Sequence, residues 1–350
     1  MSLFDAVRDL PLVVEGYDLD GHSYTVSSEF TRKTTVVRLS GAGDEGLGED
    51  VTYDGGEQDA QQARGPVLPL AGEWTLETFS RHLEGQPLFE EEPEMHAYID
   101  YRRWAFESAA LDLALRQAGR SLGDAVGRNP RPVTFVASGG LGDPPNTARL
   151  RAFLERYPGL RFKLDARPDW TDDIFAELQE LECVDSVDLK GQYSGTVVDN
   201  PPDPNLYRRV IDAFPDAWLE DPALTPETEP VLEPHVDRVT WDAIIHSVED
   251  IRALRWPPRT VNVKPSRFGT IERLFATYDH CEETGIGAYG GGQWELSIGR
   301  EQIQLLAALF HPDTPNDVAP GGYNAATPPS GLPGSPLVVR PRETGFAVQS

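Results

Sequence analysis

The sequence contains no run of about 18 consecutive apolar residues, the length that a membrane-spanning helix needs. Its first residues, Met1–Leu12, carry charges and no long apolar segment, so we expect no secretory signal. Only two cysteines are present, Cys183 and Cys281, too few for a disulfide framework or a zinc cluster. These absences favour a cytoplasmic protein in a reducing compartment, without membrane contact.

Positive charge is also scarce. The 350 residues include 31 Lys and Arg against 57 Asp and Glu, a net charge of −26. A field of that sign repels phosphate backbones and anionic lipid surfaces, so we expect neither nucleic acid nor a membrane as a partner. An anionic small molecule would need a local cluster of cations in order to bind.

Lysine is the scarcest charged residue. Four lysines stand against 27 arginines: Lys33, Lys163, Lys190 and Lys264. Because arginine is effectively never deprotonated, a chain that prefers arginine keeps lysine where an amine must release its proton. The alternative is that these four are ordinary surface residues.

The chain divides into three segments by pattern. Residues 1–130 predict an α+β capping domain, and residues 131–320 alternate short apolar strands with helical segments. Residues 321–350, rich in Pro and Gly, are expected to return over the surface and complete the first domain. Within the first segment we predict three strands, a loop around Gly46 and Gly48, a mobile loop and two helices: Val13–Tyr17, Ser23–Ser27, Thr34–Leu39, residues 52–66, Trp74–Leu83 and Met95–Ala118.

The second segment predicts repeated βα units and therefore a parallel sheet with right-handed crossovers. The strands are Val133–Ala137, Arg161–Leu164, Ser186–Leu189, Ala217–Leu219, Arg238–Trp241, Thr260–Val263, Gly287–Tyr289 and a weaker one near Asp313–Val318. This number of units favours a closed (β/α)₈ barrel of the TIM type over an open sheet. No glycine-rich phosphate fingerprint follows the first strand, which disfavours dinucleotide binding.

Five charged residues close five successive predicted strands: Lys163, Asp188, Glu220, Asp242 and Lys264. They are separated by 25, 32, 22 and 22 residues, one βα unit each. Since the carboxyl ends of barrel strands meet at one face, we expect these side chains to converge there. Asp188, Glu220 and Asp242 then form an all-oxygen ligand set of the kind that Mg²⁺ prefers.

A cation between two lysines has a chemical use. Removing a proton α to a carboxylate creates an enediolate, whose added negative charge a divalent cation stabilises. A lysine beside that cation and a second lysine is expected to have a depressed pKa and to act as the base. Lys163 and Lys264 are therefore the candidate catalytic residues, each serving one face of the substrate. The alternative for each carboxylate taken singly is a solvated loop residue or a helix cap, as we expect for Asp221 and Asp250.

Several short motifs occur in the order and spacing of a known family. They are Gly46–Glu49, Arg161–Lys163, Trp218–Pro222, Val261–Gly269 and Gly291–Glu295. With them the chain resembles the enolase superfamily, in its branch similar to muconate-lactonizing enzyme and mandelate racemase. The resemblance implies a modified TIM barrel with an α+β cap, Mg²⁺ as cofactor, a small carboxylate as substrate and assembly into a homo-oligomer.

The resemblance also names auxiliary residues. It implies that Glu295 lies near the site and that Arg32 and Tyr53, in the cap segments Asp18–Arg32 and Asp50–Arg64, contact substrate. Lys190 departs from the family pattern, because an asparagine usually stands two residues after the strand-three ligand. An alternative register matches Leu164–Thr171 to that strand and makes Asp165 the ligand.

The predicted function is Mg²⁺-dependent abstraction of the proton α to a carboxylate, in a racemase, epimerase or cycloisomerase. One alternative is a dehydratase of the kind that acts on acid sugars. Others are a metal-free relative that only binds an anion, with Lys190 in place of the cation, and an unrelated barrel enzyme that uses Lys190 as a Schiff-base amine.

Overall fold

The structure, a computed structural model, describes residues 2–26, 30–193 and 199–349. Residues 27–29, which include the end of the predicted strand Ser23–Ser27 and part of the Asp18–Arg32 segment, lie outside the described residues. The strands are β1 Pro11–Val14, β2 Gly16–Thr25, β3 Thr31–Gly41, β4 Asp44–Asp50, β5 Gly72–Thr75, β6 Ala137–Gly139, β7 Phe162–Asp165, β8 Val184–Asp188, β9 Trp218–Glu220, β10 Val239–Thr240, β11 Thr260–Val263 and β12 Gly287–Gly290. The α-helices are α1 Gly55–Arg64, α2 Leu76–Glu84, α3 Ala97–Gln117, α4 Leu122–Val126, α5 Ala148–Arg156, α6 Asp172–Leu181, α7 Pro204–Ala213, α8 Glu229–Leu232, α9 Val248–Ala253, α10 Pro265–Phe268, α11 Ile271–Thr284 and α12 Ile298–Phe310.

The N-terminal part is an antiparallel sheet on a long helix. Strands β2, β3 and β4 pair in that order, and β4 packs against α3. A Cβ at Gly46 would lie 2.2 Å from the carbonyl oxygen of Ala109, and one at Gly48 would lie 2.0 Å from that of Ala105. The loop predicted around these glycines is wrong, because both belong to a strand in which glycine permits close approach to α3.

The predicted mobile loop over residues 52–66 is also wrong. Helix α1 fills most of it and begins at Asp54, whose carboxylate accepts from the amides of Gly56 and Glu57. The side-chain amide of the buried Gln58 donates to the backbone carbonyl oxygens of Asp50 and Thr52 and so anchors the helix to β4. Buried glutamines give this helix a polar inner face, which hides its amphipathic period.

The C-terminal part is a barrel of parallel strands. Strands β6 to β10 form one sheet in sequence order, and β11 pairs with β12. The amide of Asn262 donates to the carbonyl oxygen of Trp241 at 2.9 Å, which joins the two sheets after β10. Seven predicted strands overlap β6 to β12 or, for Val133–Ala137, the bridges leading into β6.

Residues 313–318 close the barrel on its other side. The amide of Asp317 donates to the carbonyl oxygen of Gly290 at 2.8 Å, and that of Val136 donates to Asn316 at 2.9 Å. Within the described residues this segment forms an isolated bridge between Phe135 and Asn316 instead of the predicted eighth strand. The architecture is the predicted modified TIM barrel with an N-terminal α+β cap.

The cap is joined to the barrel by a glutamate. Glu49, the last residue of the Gly46–Glu49 motif, accepts the amides of Leu296 at 2.7 Å, Ser297 at 3.0 Å and Gly299 at 2.8 Å. These amides lie at the start of α12, where helix N–H groups lack partners within the helix. The C-terminal segment also reaches the cap, since Phe346 packs edge-to-face on Trp104 in α3.

In the portions of the chain that the structure describes, no helix combines the length and the apolar character needed to cross a membrane.

Candidate active site

Three buried carboxylates converge at the carboxyl ends of adjacent barrel strands. Asp188 and Glu220 end β8 and β9 and face each other in the ladder, and Asp242 follows β10 by two residues. One oxygen from each lies within 4.8 Å of the others, and all three residues are buried. This all-oxygen set could hold a divalent cation such as Mg²⁺.

The two predicted bases flank this acidic triad, defined as Asp188, Glu220 and Asp242. The Lys163 ammonium, on β7, contacts the Glu220 carboxylate and lies 3.7 Å from Asp188 Oδ2. Lys264, directly after β11, places its Nζ 2.8 Å from Asp242 Oδ2. Both lysines are buried. Their contacts with the triad bring together all five of the residues that were predicted to end successive strands.

The expected depression of the Lys163 pKa does not arise from the protein groups alone. Burial by itself would lower this pKa, but Glu220, Asp188 and Asp242 outweigh burial and raise it well above its ordinary value. Lys163 is therefore a cation in this arrangement. A further positive charge on the carboxylates would act in the opposite direction and favour loss of its proton.

Arg267 is a site residue that the sequence analysis missed. It lies on α10, three residues after Lys264, and its Nη1 is 2.5 Å from Asp242 Oδ1. Burial opposes ionisation of Asp242, but Arg267 and Lys264 outweigh it and hold the pKa of this carboxyl below its usual range. Arg267 lies within the Val261–Gly269 motif, close to Lys264, and this position in the sequence was the signal that could have identified it as a site residue.

Asp221 was expected to be a cap or a surface charge, and that expectation is wrong. The residue is fully buried, with a φ of 49°, and accepts the amides of Asp242 at 2.8 Å and Ala243 at 2.9 Å. Burial, with Asp242 and Asp188 nearby, raises its pKa to about 7. It positions the segment that carries Asp242. By contrast Asp250 does serve at a helix start, where it bonds to Ser247 before α9.

Tyr289 is a second residue that the sequence analysis missed. Its hydroxyl, on β12, donates to Glu220 Oε2 from the side opposite Lys163, whose ammonium contacts Oε1. Burial together with the charges of Asp242 and Asp188 raises the pKa of Glu220 to about 8, although Lys163 lowers it.

Lys190, which departs from the family pattern, also lies at the triad. It follows β8 with a φ of 54°, in the left-handed region rather than on an extended strand. Its Nζ is 2.6 Å from Asp188 Oδ2 and 3.3 Å from Asp165 Oδ1. Asp165 ends β7 opposite Asp188 in the ladder and is not among the converging carboxylates, which favours the Asp188 register.

The three auxiliary residues differ in their surroundings. Arg32 is buried and donates to the backbone carbonyl oxygens of Lys33, Val51, Thr52, Gln293 and Trp294, through all five of its N–H groups. It therefore clamps the cap to the loop after β12 and has no donor left for a substrate. Tyr53, 38% exposed, lies beneath the Arg32 guanidinium at 4.3 Å.

Glu295 is the auxiliary residue with an unused oxygen. It is buried, and its Oε1 accepts the Gln293 amide at 2.8 Å. Its Oε2 has no hydrogen-bond partner within the described parts of the chain. A buried carboxylate oxygen of this kind is available to a ligand or to water.

Solved structures of the enolase superfamily share this fold. A muconate cycloisomerase variant matches with a TM-score of 0.67 and 18% identity over 96% of this chain and 97% of its own. An unknown member of the enolase superfamily from Enterococcus faecalis matches with a TM-score of 0.61 and 19% identity, over 88% of this chain and 86% of its own. A probable mandelate racemase from Alicyclobacillus acidocaldarius matches with a TM-score of 0.59 and 19% identity, over 89% of this chain and 85% of its own. The chain therefore has the enolase-superfamily fold.

Curated relatives with sequence similarity are named as enzymes. An o-succinylbenzoate synthase from Geobacillus kaustophilus is 24% identical over 66% of this chain and 63% of its own. An N-succinylamino acid racemase from Thermus thermophilus is 25% identical over 82% of this chain and 78% of its own. The match to an Escherichia coli o-succinylbenzoate synthase spans only 51% of that enzyme.

The models of two domains of one family match this chain. The C-terminal domain described as a domain of unknown function, DUF8230, matches residues 129–325, and the N-terminal domain of the same description matches residues 5–125. The chain belongs to this family.

Proposed function

We propose that this protein is an enzyme that removes the proton α to a carboxylate of a small molecule, with a divalent cation as cofactor. The observation that carries the proposal is the convergence of three buried carboxylates within 4.8 Å, with a buried lysine on each side. The relatives named as a racemase and as synthases in the same superfamily support it.

The residues present fit Mg²⁺. Asp188, Glu220 and Asp242 offer only oxygen atoms from rigid strand ends, which are the ligands that a small hard cation takes. When bound, the cation would stabilise negative charge that develops on the substrate carboxylate.

The two lysines supply the proton chemistry. Lys163 and Lys264 flank the triad on β7 and directly after β11, so one can accept the α-proton from one face of the substrate while the other donates to the opposite face. Removal and return on opposite faces is the pattern of a racemase or an epimerase. A cycloisomerase or a dehydratase would use the same abstraction and a different second step.

A metal-free relative is the second candidate, and one observation favours it. Among the residues that the structure describes, four buried or nearly buried cations contact the triad: Lys163, Lys190, Lys264 and Arg267. The melting temperature separates the two candidates, because a ligand of the native state raises it. A rise with millimolar Mg²⁺ supports the enzyme, and no change supports the metal-free relative.

Exchange of the α-proton with D₂O tests the reaction. We expect a panel of small carboxylates to include compounds that incorporate deuterium with wild type and Mg²⁺. Incorporation should fall at least about a hundredfold for one enantiomer in Lys163→Arg and for the other enantiomer in Lys264→Arg, because each lysine serves one face of the substrate. Arginine keeps the charge but cannot accept the proton. Lys33→Arg, at an exposed ion pair with Asp59, is the matched control and should exchange normally. Normal exchange in both active-site variants would rule out the two-base mechanism.

The remaining expectations are part of the same proposal. We propose a small carboxylate as the partner, a homo-oligomer as the assembly and a reducing cytoplasm as the location. Both cysteines, Cys183 and Cys281, are buried and free, in keeping with such a compartment.

A further inference from the structure

Lys190 has two acidic partners of different kinds. Its Nζ lies 2.6 Å from Oδ2 of Asp188, which is fully buried and belongs to the triad. The same atom lies 3.3 Å from Oδ1 of Asp165, which has a side chain 35% exposed and is not part of the triad. The lysine is thus held between a proposed metal ligand and an acid at the rim.

The backbone fixes this position. The Lys190 amide donates to Asp188 Oδ1 at 2.9 Å, so the ligand and the lysine share one turn after β8. Lys190 has a φ of 54°, and its ammonium lies within contact of both Asp188 and Asp165, the residue that ends β7. Because the same Nζ already lies within 3.3 Å of an oxygen of each acid, a shift from Asp188 to Asp165 requires only a short movement of the ammonium.

An ammonium on Asp188 and a divalent cation on the same carboxylate repel each other strongly, because both are desolvated. A cation entering the triad must therefore displace the Lys190 ammonium. Asp165 offers the displaced ammonium a carboxylate within reach, so that it need not become an unpaired buried charge.

Resting on the proposed metal site, we propose that Lys190 is a tethered cation that neutralises Asp188 in the metal-free protein and transfers to Asp165 when a divalent cation binds. Lys190 then lowers the affinity of the site, and Asp165 raises it without being a ligand. The pair sets the metal concentration at which the site becomes occupied.

Calorimetric titration with Mn²⁺ and with Mg²⁺, at one salt concentration and without substrate, tests this pair. We expect Lys190→Asn to tighten binding at least about tenfold and Asp165→Asn to weaken it about three- to tenfold. Asparagine suits the left-handed backbone at position 190, so this variant should fold. Lys190→Gln is a second variant with the same expectation.

The double variant separates the proposed transfer from a simple field effect. In the Lys190→Asn background, Asp165→Asn should change the affinity less than about twofold, because no ammonium remains to be received. Lys33→Asn and Asp169→Asn are matched controls that remove the same charges at exposed ion pairs, and each should stay close to wild type.

The opposing outcomes are distinct. An unchanged affinity in Lys190→Asn, with metal bound by wild type, overturns the role of Lys190 and leaves the metal site standing. Equal weakening by Asp165→Asn in both backgrounds overturns the transfer. Absence of binding in wild type and in Lys190→Asn overturns both this inference and the proposed metal site.

Discussion

At the scale of single residues, the proposed site pairs three buried carboxylates with four cations. Each carboxylate of the triad has a cation within contact: Lys190 on Asp188, Lys163 on Glu220, and Lys264 with Arg267 on Asp242. An unpaired carboxylate in such surroundings would cost several kcal/mol. The cations therefore help three acids to be buried together.

The residues that end the strands could be predicted from sequence, but the contacts that Asp221 and Arg267 make with Asp242 and its segment could not. Asp188, Glu220 and Asp242 recur with the βα unit, and parallel strands bring their ends to one edge whatever the loops do. Asp221 lies directly after β9 and Arg267 lies on the short helix α10, so neither position follows from the spacing of the βα units. Asp221, for example, points to the amides after β10 only because its backbone is left-handed.

His311 supports a prediction about pH. It is buried, and burial lowers its pKa from 6.5 to about 4, although its bond to Asn316 opposes the shift. The unfolded chain therefore binds more protons between pH 4 and 6.5, so this residue stabilises the fold above pH 6.5 and that stability is lost as the pH falls. Its full contribution is on the order of 3 kcal/mol.

The variant His311→Asn isolates this effect. The amide of asparagine can still donate to Asn316 but does not titrate, so the destabilisation relative to wild type should shrink by about 2 kcal/mol between pH 7.5 and pH 5. Urea denaturation at both pH values measures it. The exposed His22→Asn is the control, and a pH-independent difference for His311→Asn would contradict the assignment.

At the scale of elements, two of the wrong expectations, the loop around Gly46 and Gly48 and the mobile loop over residues 52–66, share one cause. Gly46 and Gly48 suggest a turn, and the polar residues of α1 suggest a loop, when only local propensity is considered. In the fold, the glycines give α3 room against β4, and Gln58 bonds to the backbone of the same strand. Tertiary contacts determine both elements, and local sequence patterns do not reveal those contacts. The helix Ala97–Gln117 was predicted to within two residues because its pattern is long.

The contact between β4 and α3 supports a prediction about stability. In Gly48→Ala the new Cβ would meet the Ala105 carbonyl oxygen at 2.0 Å, and backbone atoms cannot yield as a flexible side chain does. We expect a loss of about 1–3 kcal/mol of unfolding free energy, measured by urea denaturation. Gly16→Ala, in β2 of the same sheet, is the matched control, because its nearest contact would be 4.0 Å away. Equal losses in the two variants would contradict the role of the contact with Ala105.

At the scale of the whole molecule, the net charge of −26 opposes compactness. Ion pairs on the surface act in the opposite direction, as between Arg38 and both Asp20 and Glu45. Exposed pairs contribute at most about 1 kcal/mol each, and salt screens them as it screens repulsion. With 57 acidic residues against 31 basic ones, 26 negative charges remain with no positive charge to offset them. Net repulsion therefore dominates the response to salt.

We accordingly predict that NaCl stabilises this protein. Raising its concentration from 0.05 to 1 M shortens the screening length to about 3 Å, so the free energy of unfolding in urea should increase. The triple variant Glu91→Gln, Glu92→Gln and Glu94→Gln removes three exposed negative charges, and its stability should depend less steeply on salt. A general effect of salt on apolar burial would act on both proteins alike. Parallel salt curves for wild type and the triple variant would therefore assign the stabilisation to burial and contradict the role of charge repulsion.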